Sequence, residues 1–464
     1  MPHRHPRDST IGGRLTSAFM MASSALLIAC WALGGVTVDS SGADEVLQLL
    51  ALPIVLWAGW RLMQYPMSSA VRLSLLAAAV IVLVPLWQLL PLPQALGMGG
   101  TARTALAVDL AKAGVTHGSA QASLWPRATE QALWSMLPAI ALFLAALTLA
   151  AKWRHRLLQL VLGLVLASAA FAFFQLSLPD RSPLLLYSSW GRNFGGLFVN
   201  PNHQGSALIL GALIATALYI DGRRRANDDG GYFHWLYGLL AAGCVAMVPL
   251  ANGSAAILLL LVGLVAVALL MGTLRRSATH GKPAFILRVA AAGVAVVVVA
   301  GSALTWQRAD TERQQIATTA LQIGSRFAPL GTGVGSFVPV FAQSQSPIQT
   351  RTELVNHAHN EYAQWWLEGG VPAVLALGFG LGVFAFSGWQ VLTRIHSSRL
   401  LAVAAPAWAG LLILLLHSLV DFPMRTTALM ATAGLLAGLL LATLADARED
   451  NRRRVHHDDA VQQA

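Results

Sequence analysis

The sequence predicts an all-α, polytopic integral membrane protein of about twelve transmembrane helices, and three observations carry the prediction. Of 464 residues, 56% are Ala, Val, Ile, Leu, Met, Phe, Trp, Tyr or Cys and only 11% are charged, against roughly 25% charged in soluble globular chains. The mean hydropathy is +0.60, and the apolar residues recur in runs close to the ~20 needed to cross a ~30 Å hydrocarbon core. Lys and Arg concentrate in alternate connections between those runs. A single water-soluble domain is excluded. The only cysteines, Cys30 and Cys244, both lie inside apolar runs, which excludes a disulfide framework and a Cys-based metal cluster.

In chain order the candidate spans are 15–37, 46–63, 71–90, 131–151, 156–178, 203–220, 234–250, 255–273, 284–304, 369–392, 400–420 and 426–445. The first run lacks a convincing small-residue cleavage site and others follow it, so it reads as an anchor, not a removed signal peptide. An even number of spans puts both termini on one side. With that side cytoplasmic, about two thirds of the 31 Lys and Arg fall in its short segments. They include Arg4, Arg7, Arg14, Arg61, Arg72, Lys152, Arg154, Arg156, Arg223 to Arg225, Arg275, Arg276, Arg394, Arg399 and Arg448. This is the positive-inside distribution. The net charge of +10 is therefore mostly a topology signal, and nucleic-acid binding gains no separate support. The basic cytoplasmic tail 446–464, with Arg452-Arg453-Arg454, is expected to lie against anionic lipid.

The chain reads as one transmembrane domain over 1–464, without an internal repeat. Its short cytoplasmic loops leave no room for a catalytic domain, and no GxxxxGK[ST] phosphate loop is present, which argues against ATP-driven transport by this chain alone. Chemistry is expected in the long non-cytoplasmic segments 91–130, 179–202 and 305–368. In the last, Arg308-Ala-Asp310-Thr-Glu312-Arg313 followed by Ile316, Ala317, Ala320 and Leu321 has the spacing of an amphipathic helix. The glycines of Pro329-Leu-Gly331-Thr-Gly333-Val-Gly335-Ser336-Phe337 fit either a flexible re-entrant turn or a backbone that offers N–H groups to an anion.

The densest polar constellation is Asn356-His357-Ala-His359-Asn360-Glu361-Tyr362-Ala-Gln364-Trp365-Trp366-Leu-Glu368. If already helical, it puts His357 and Glu361 on one face, and likewise Asn360 and Gln364. Polar groups at membrane depth are costly unless satisfied, and so point to function. The competing reading is an interfacial belt anchored by the tryptophans. His357, His359 and Glu361 could supply three zinc ligands, but HEXXH is absent and no Cys contributes. A second cluster, Gly191-Arg192-Asn193 through Asn200-Pro201-Asn202-His203-Gln204, combines turn chemistry with a helix N-terminus suited to phosphate. The third is His417-Ser418-Leu-Val-Asp421-Phe422-Pro423-Met424-Arg425, in which Asp421 and Arg425 either pair with each other or close a site. Asn252-Gly253-Ser254 reads as a turn. All these clusters fall on the same, non-cytoplasmic side.

Pro-Leu-Gly-x-Gly-x-Gly-x-Phe at 329–337, His-Asn-Glu-Tyr at 359–362 and Glu-Gly-Gly-Val-Pro at 368–372 together resemble the O-antigen ligase and polymerase superfamily. Phe198-Val-Asn-Pro-Asn-His203 and His417-Ser-Leu-Val-Asp-Phe-Pro423 look like its flanking motifs, so the resemblance spans about 190–425. It implies a GT-C-like enzyme of the bacterial inner membrane that uses no cofactor, metal or nucleotide. The donor would be a glycan on undecaprenyl diphosphate. The acceptor would be a hydroxyl at the periplasmic face, on lipid A core, another glycan or a protein. The same resemblance makes His359 and Arg313 the catalytic residues, with His359 handling the acceptor proton and Arg313 the diphosphate. Arg308, Arg192, Asn202, His203, His357, Asn360, Glu361, Asp421 and Arg425 are expected to bind or orient substrate. In one departure, many members carry Arg directly after a Gly-Ser at a span start, where this chain reads Gly253-Ser254-Ala255; Arg192 or Arg308 would have to substitute. A ligase is favoured over a polymerase or protein oligosaccharyltransferase, on the ground that no large soluble C-terminal domain is present to receive a protein. A transporter of lipid-linked or anionic substrates is the rival of another class. Against it stand the lack of a repeat and of polar groups at the midplane. A non-catalytic envelope scaffold is a third reading.

Overall fold

The computed structural model describes residues 10–36, 42–64, 67–92, 101–114, 120–180, 182–187, 193–229, 232–251, 253–275, 311–344, 355–394 and 400–462. Among the described residues the secondary structure is helical, apart from one antiparallel ladder pairing Pro91–Leu92 with Ala120–Gln121. Among the described residues, 11 helices are long and apolar enough to cross a membrane, and each corresponds to one of the expected spans. The remaining expected span, 284–304, lies outside the described residues, as do Arg192, Arg308 and Asn252.

Burial sorts the spans into a centre and a rim. The stretch Pro201–Arg225 is 94% buried, Thr427–Asp450 78% and Leu400–His417 72%, whereas the other spans bury half or less of their core window. The central helices are rich in small residues, which lets neighbouring backbones approach as membrane packing requires. Gly434 and Gly438, one turn apart, show the effect: a Cβ on either would fall 2.4–2.5 Å from the carbonyl oxygens of Ala139 and Phe143 on Leu137–Thr148.

The helix Glu361–Arg394 would extend ~51 Å if continuous, well beyond the hydrocarbon core. It breaks at Gly370 (φ 57°, ψ −146°), where the Val371 N–H is donated to Pro329 O at 2.8 Å. The break separates a short segment from Glu361 to Gly369 from the apolar span beyond it. The N-termini of Pro201–Asp229, Ser254–Arg275, Glu361–Arg394 and Thr427–Gln462 meet the C-terminus of Ala405–His417 at one end of the bundle. Toward the far ends of these helices lie Arg223, Arg224, Arg225, Arg394 and Arg448, and Arg154 of Ala151–Ser177 joins them there. Arg154 bonds Asp446, Arg225 bonds Asp221 and Arg448 donates to Gln390.

Candidate functional site

Asp421 is the centre of the polar end. Ala405–His417 terminates in a tight turn in which the N–H groups of Val420 and Asp421 both reach His417 O at 2.9 Å. This turns the Asp421 side chain inward, to complete burial. Oδ2 accepts hydrogen bonds from Asn200 Nδ2 at 2.9 Å and Asn202 Nδ2 at 3.0 Å, and lies 3.7 Å from Arg313 Nη1. Oδ1 accepts the Phe422 N–H at 3.1 Å and faces His359 Nδ1 at 3.4 Å. Burial pushes this carboxyl's pKa up, but the contacts from His359 and His417 and the nearby His203 outweigh it and hold the group well below its usual range. Asp421 is thus a carboxylate at every physiological pH.

Local sequence explains how each partner arrives. Asn200-Pro201-Asn202 forms an Asx turn, with Asn200 Oδ1 accepting the Asn202 N–H at 2.9 Å, and opens Pro201–Asp229 with both amides aimed at Asp421. Arg313 belongs to Thr311–Arg326, the expected amphipathic helix. Its buried stripe of Ile316, Ala317, Ala320 and Ile323 packs with Phe337, Phe341, Ala363 and Leu367. Arg313 lies one turn before that stripe on the same face, so docking the apolar residues delivers the guanidinium to Asp421. His359 has φ 51°, a left-handed backbone that no other non-glycine described residue adopts. Such a conformation costs of order 1 kcal/mol or more for a side chain of this type and tends to persist at functional sites. Here it turns the imidazole toward Asp421 just before the helix begins.

A second network fixes that helix start. Asn360 caps it, with Oδ1 accepting the Ala363 N–H at 3.0 Å and Nδ2 donating to Leu419 O at 3.0 Å. Glu361 receives the Met424 N–H at 2.6 Å and the Ser418 hydroxyl at 3.2 Å, and Tyr362 donates to Leu415 O. Segment 355–362 and turn 415–425 are therefore stapled into one unit. Beneath it, Arg425 pairs with the fully buried Glu368 at 3.0 Å, and Gln364 links Glu368 Oε1 at 2.9 Å to His357 Nδ1 at 3.5 Å. Burial, then the positive Arg425, lower the His357 pKa to about 3, so it stays neutral. For Arg425, burial opposes the charge, but the Glu368 and Glu361 carboxylates prevail and hold its pKa above the usual value.

The structure gathers His359, Arg313, Asp421, Asn202 and His203 into one centre, and His357, Asn360, Glu361 and Arg425 into the network beside it. Several expectations change in detail. Asp421 and Arg425 do not pair with each other: Asp421 is taken by Asn200, Asn202 and His359, and Arg425 by Glu368. His357 and Glu361 share no helical face, since the helix starts only at Glu361. The glycine-rich segment is neither a flexible turn nor an open anion nest. The N–H groups of Gly331, Thr332 and Gly333 are donated to Phe327 O, Leu367 O and Glu368 O, and that of Val334 to Gln88 Oε1. Its glycines, all at positive φ, are required by close approach: a Cβ on Gly331 would lie 2.5 Å from Glu368 O. Asn200, His417, Gln364 and Glu368 belong to the polar clusters of the sequence, which assigns none of them an individual role. Their signal was a polar side chain at the end of an apolar span.

The zinc set His357, His359 and Glu361 is not assembled, because Glu361 is committed to the 418–424 turn and His357 to Gln364. Among the described residues, His203, His417 and Asp421 offer ligand atoms within 4.8 Å of one another. They fit a cation poorly: Asp421 Oδ2 already accepts two amides, and Arg313 would face a metal as a like charge. The arrangement instead suits a reaction in which a base must be held in one tautomer beside a fixed positive charge.

Residues 237–378 match the family described as O-Antigen ligase, which supports an O-antigen ligase-like family for this chain. The matched stretch covers about a third of the sequence and includes Arg313, the glycine-rich segment and His359. No curated protein matches the chain.

Proposed function

Starting from an O-antigen ligase-like membrane protein, we propose that it transfers a glycan from undecaprenyl diphosphate to an acceptor hydroxyl at the periplasmic face of the bacterial inner membrane, with both termini cytoplasmic. The observation that carries this reading is the convergence of His359 and Arg313 on one buried carboxylate, Asp421. With Nδ1 turned to Asp421, the His359 ring keeps its proton there and leaves Nε2 as the basic nitrogen. That is the tautomer a general base needs. In the transfer, the acceptor oxygen bonds to the anomeric carbon while its proton passes to His359 Nε2. The bond from that carbon to the phosphate oxygen breaks, and its electron pair leaves with the lipid diphosphate. Arg313, whose side chain is a quarter exposed, stabilises the charge developing on the diphosphate. Asn202 and His203 complete the wall behind Asp421, while Asn360, Glu361, His357 and Arg425 keep His359 and the turn in register. Arg192 and Arg308 are further cations for the diphosphate.

His359→Ala and Arg313→Ala should each lower transfer by at least about a thousandfold with unchanged membrane insertion, and EDTA should leave the wild-type rate intact. Full activity in His359→Ala sinks the base assignment, and loss with EDTA restored by Zn²⁺ returns the metal. A ligase is the first choice; a polymerase or protein oligosaccharyltransferase would use the same donor chemistry with a different acceptor.

A further inference from the structure

Behind Asp421 lies a buried layer of which the transfer chemistry uses only His203. His203, Gln204, Ser206 and His417 are all completely buried. His417, at the C-terminus of Ala405–His417, has Nδ1 2.8 Å from the Ser206 hydroxyl and Nε2 3.8 Å from Asp421 Oδ2. Nε2 has no hydrogen-bond partner among the described residues. The distance exceeds a full hydrogen bond, yet in a buried site a dipole at that range interacts strongly with a carboxylate. The two tautomers are unequal. With the proton on Nδ1, a lone pair at Nε2 would face the Asp421 charge. With the proton on Nε2, the Ser206 O–H donates to Nδ1 and an N–H dipole faces the carboxylate. The Asp421 charge thus selects the second tautomer, and the Ser206 hydroxyl, which can donate or accept, serves Nδ1 there as the donor.

We infer that His417 is a positioning residue for the transfer: it directs an Nε2–H at Asp421 Oδ2, with the Ser206 hydroxyl as partner of its Nδ1, and so keeps the opposite oxygen charged and turned toward His359. The inference rests on the assignment of His359 as base. Other titratable or charged groups act on the same carboxylate. They are Arg313 from Thr311–Arg326, His203 from Pro201–Asp229, and His357 and Glu361 from the stapled 355–362 segment. All are unchanged in the variants below.

Glutamine and methionine are close in size, but only glutamine can place an N–H near the position of Nε2. The substrate is the lipid-diphosphate glycan that accumulates in cells carrying the His359→Ala chain, presented to purified full-length protein. His417→Gln should keep kcat within about threefold of wild type, whereas His417→Met should lose on the order of thirtyfold in kcat with KM unchanged. The acidic limb of the His417→Met kcat profile should also move to higher pH. Without the N–H dipole the Asp421 charge is less compensated, which favours a positive charge beside it. Ser206→Ala should move the limb the same way by a smaller amount, and it decides the matter if His417→Met does not fold. A His417→Met enzyme with wild-type kcat and limb overturns the inference, as does equal damage in His417→Gln. Full activity in His359→Ala overturns the base assignment itself; an inactive His359→Ala beside an unaffected His417→Met overturns the positioning role alone.

Discussion

His357 and His359 lie two residues apart and have opposite situations. His359 is strained and turned to Asp421, whereas His357 lies among Gln364, Phe422 and Arg425. With its pKa lowered from 6.5 to about 3, His357 takes up a proton far more readily in the unfolded chain than in the folded one. Stability therefore falls as pH drops below the unfolded value, by about 2 kcal/mol at pH 5. Thermal midpoints in detergent between pH 7 and pH 5 should show this slope, and His357→Asn should reduce it; an unaltered slope contradicts the assigned burial. Residue types alone singled out both histidines, and the resemblance alone separated their roles. Their different environments were hidden because the left-handed turn at His359, and the helix start two residues later, depend on capping by Asn360 and on contacts with a turn some sixty residues away.

The Thr311–Arg326 helix was legible because its apolar spacing is a local property. What it docks against was not, because the partner surface is formed by the distant residues Ala363 and Leu367. The docking is close: a Cβ on Gly324 would lie 2.5 Å from the Trp366 ring. Gly324→Val should lift the helix and withdraw Arg313 from Asp421, lowering transfer by about tenfold or more, and Trp366→Leu in the same chain should restore part of the rate. Unchanged activity in Gly324→Val would mean that the helix does not position Arg313. The glycine-rich segment shows the opposite case. Its spacing signalled a special backbone, but glycines that admit a ligand and glycines that admit a neighbouring carbonyl look identical in sequence. Only the hydrogen bonds to Leu367, Glu368 and Gln88 identify the second.

Across the whole molecule, hydropathy located every span that the described residues contain, because membrane insertion is decided by length and apolarity of each segment separately. Which spans form the centre was not legible, since lipid and protein interior select the same apolar residues. The polar end gathers Asn200, His359 and Asp421, and Arg223, Arg224, Arg225, Arg394 and Arg448 lie toward the opposite ends of the helices that meet there. The proposed orientation therefore requires a cysteine introduced at Leu419, which is exposed, to react with a membrane-impermeant maleimide added outside spheroplasts. One introduced at Arg224 should react only after permeabilisation, and the reverse pattern would overturn the topology. The most direct test of the whole account is analysis of lipid-linked glycans in cells lacking this chain, with wild-type or His359→Ala copies restored. The account predicts that glycan on undecaprenyl diphosphate accumulates without the chain, clears with the wild type and persists with His359→Ala. Full-length glycan would indicate a ligase or protein transferase, and single repeat units a polymerase. No accumulation, together with full complementation by His359→Ala, would contradict glycan transfer at this site.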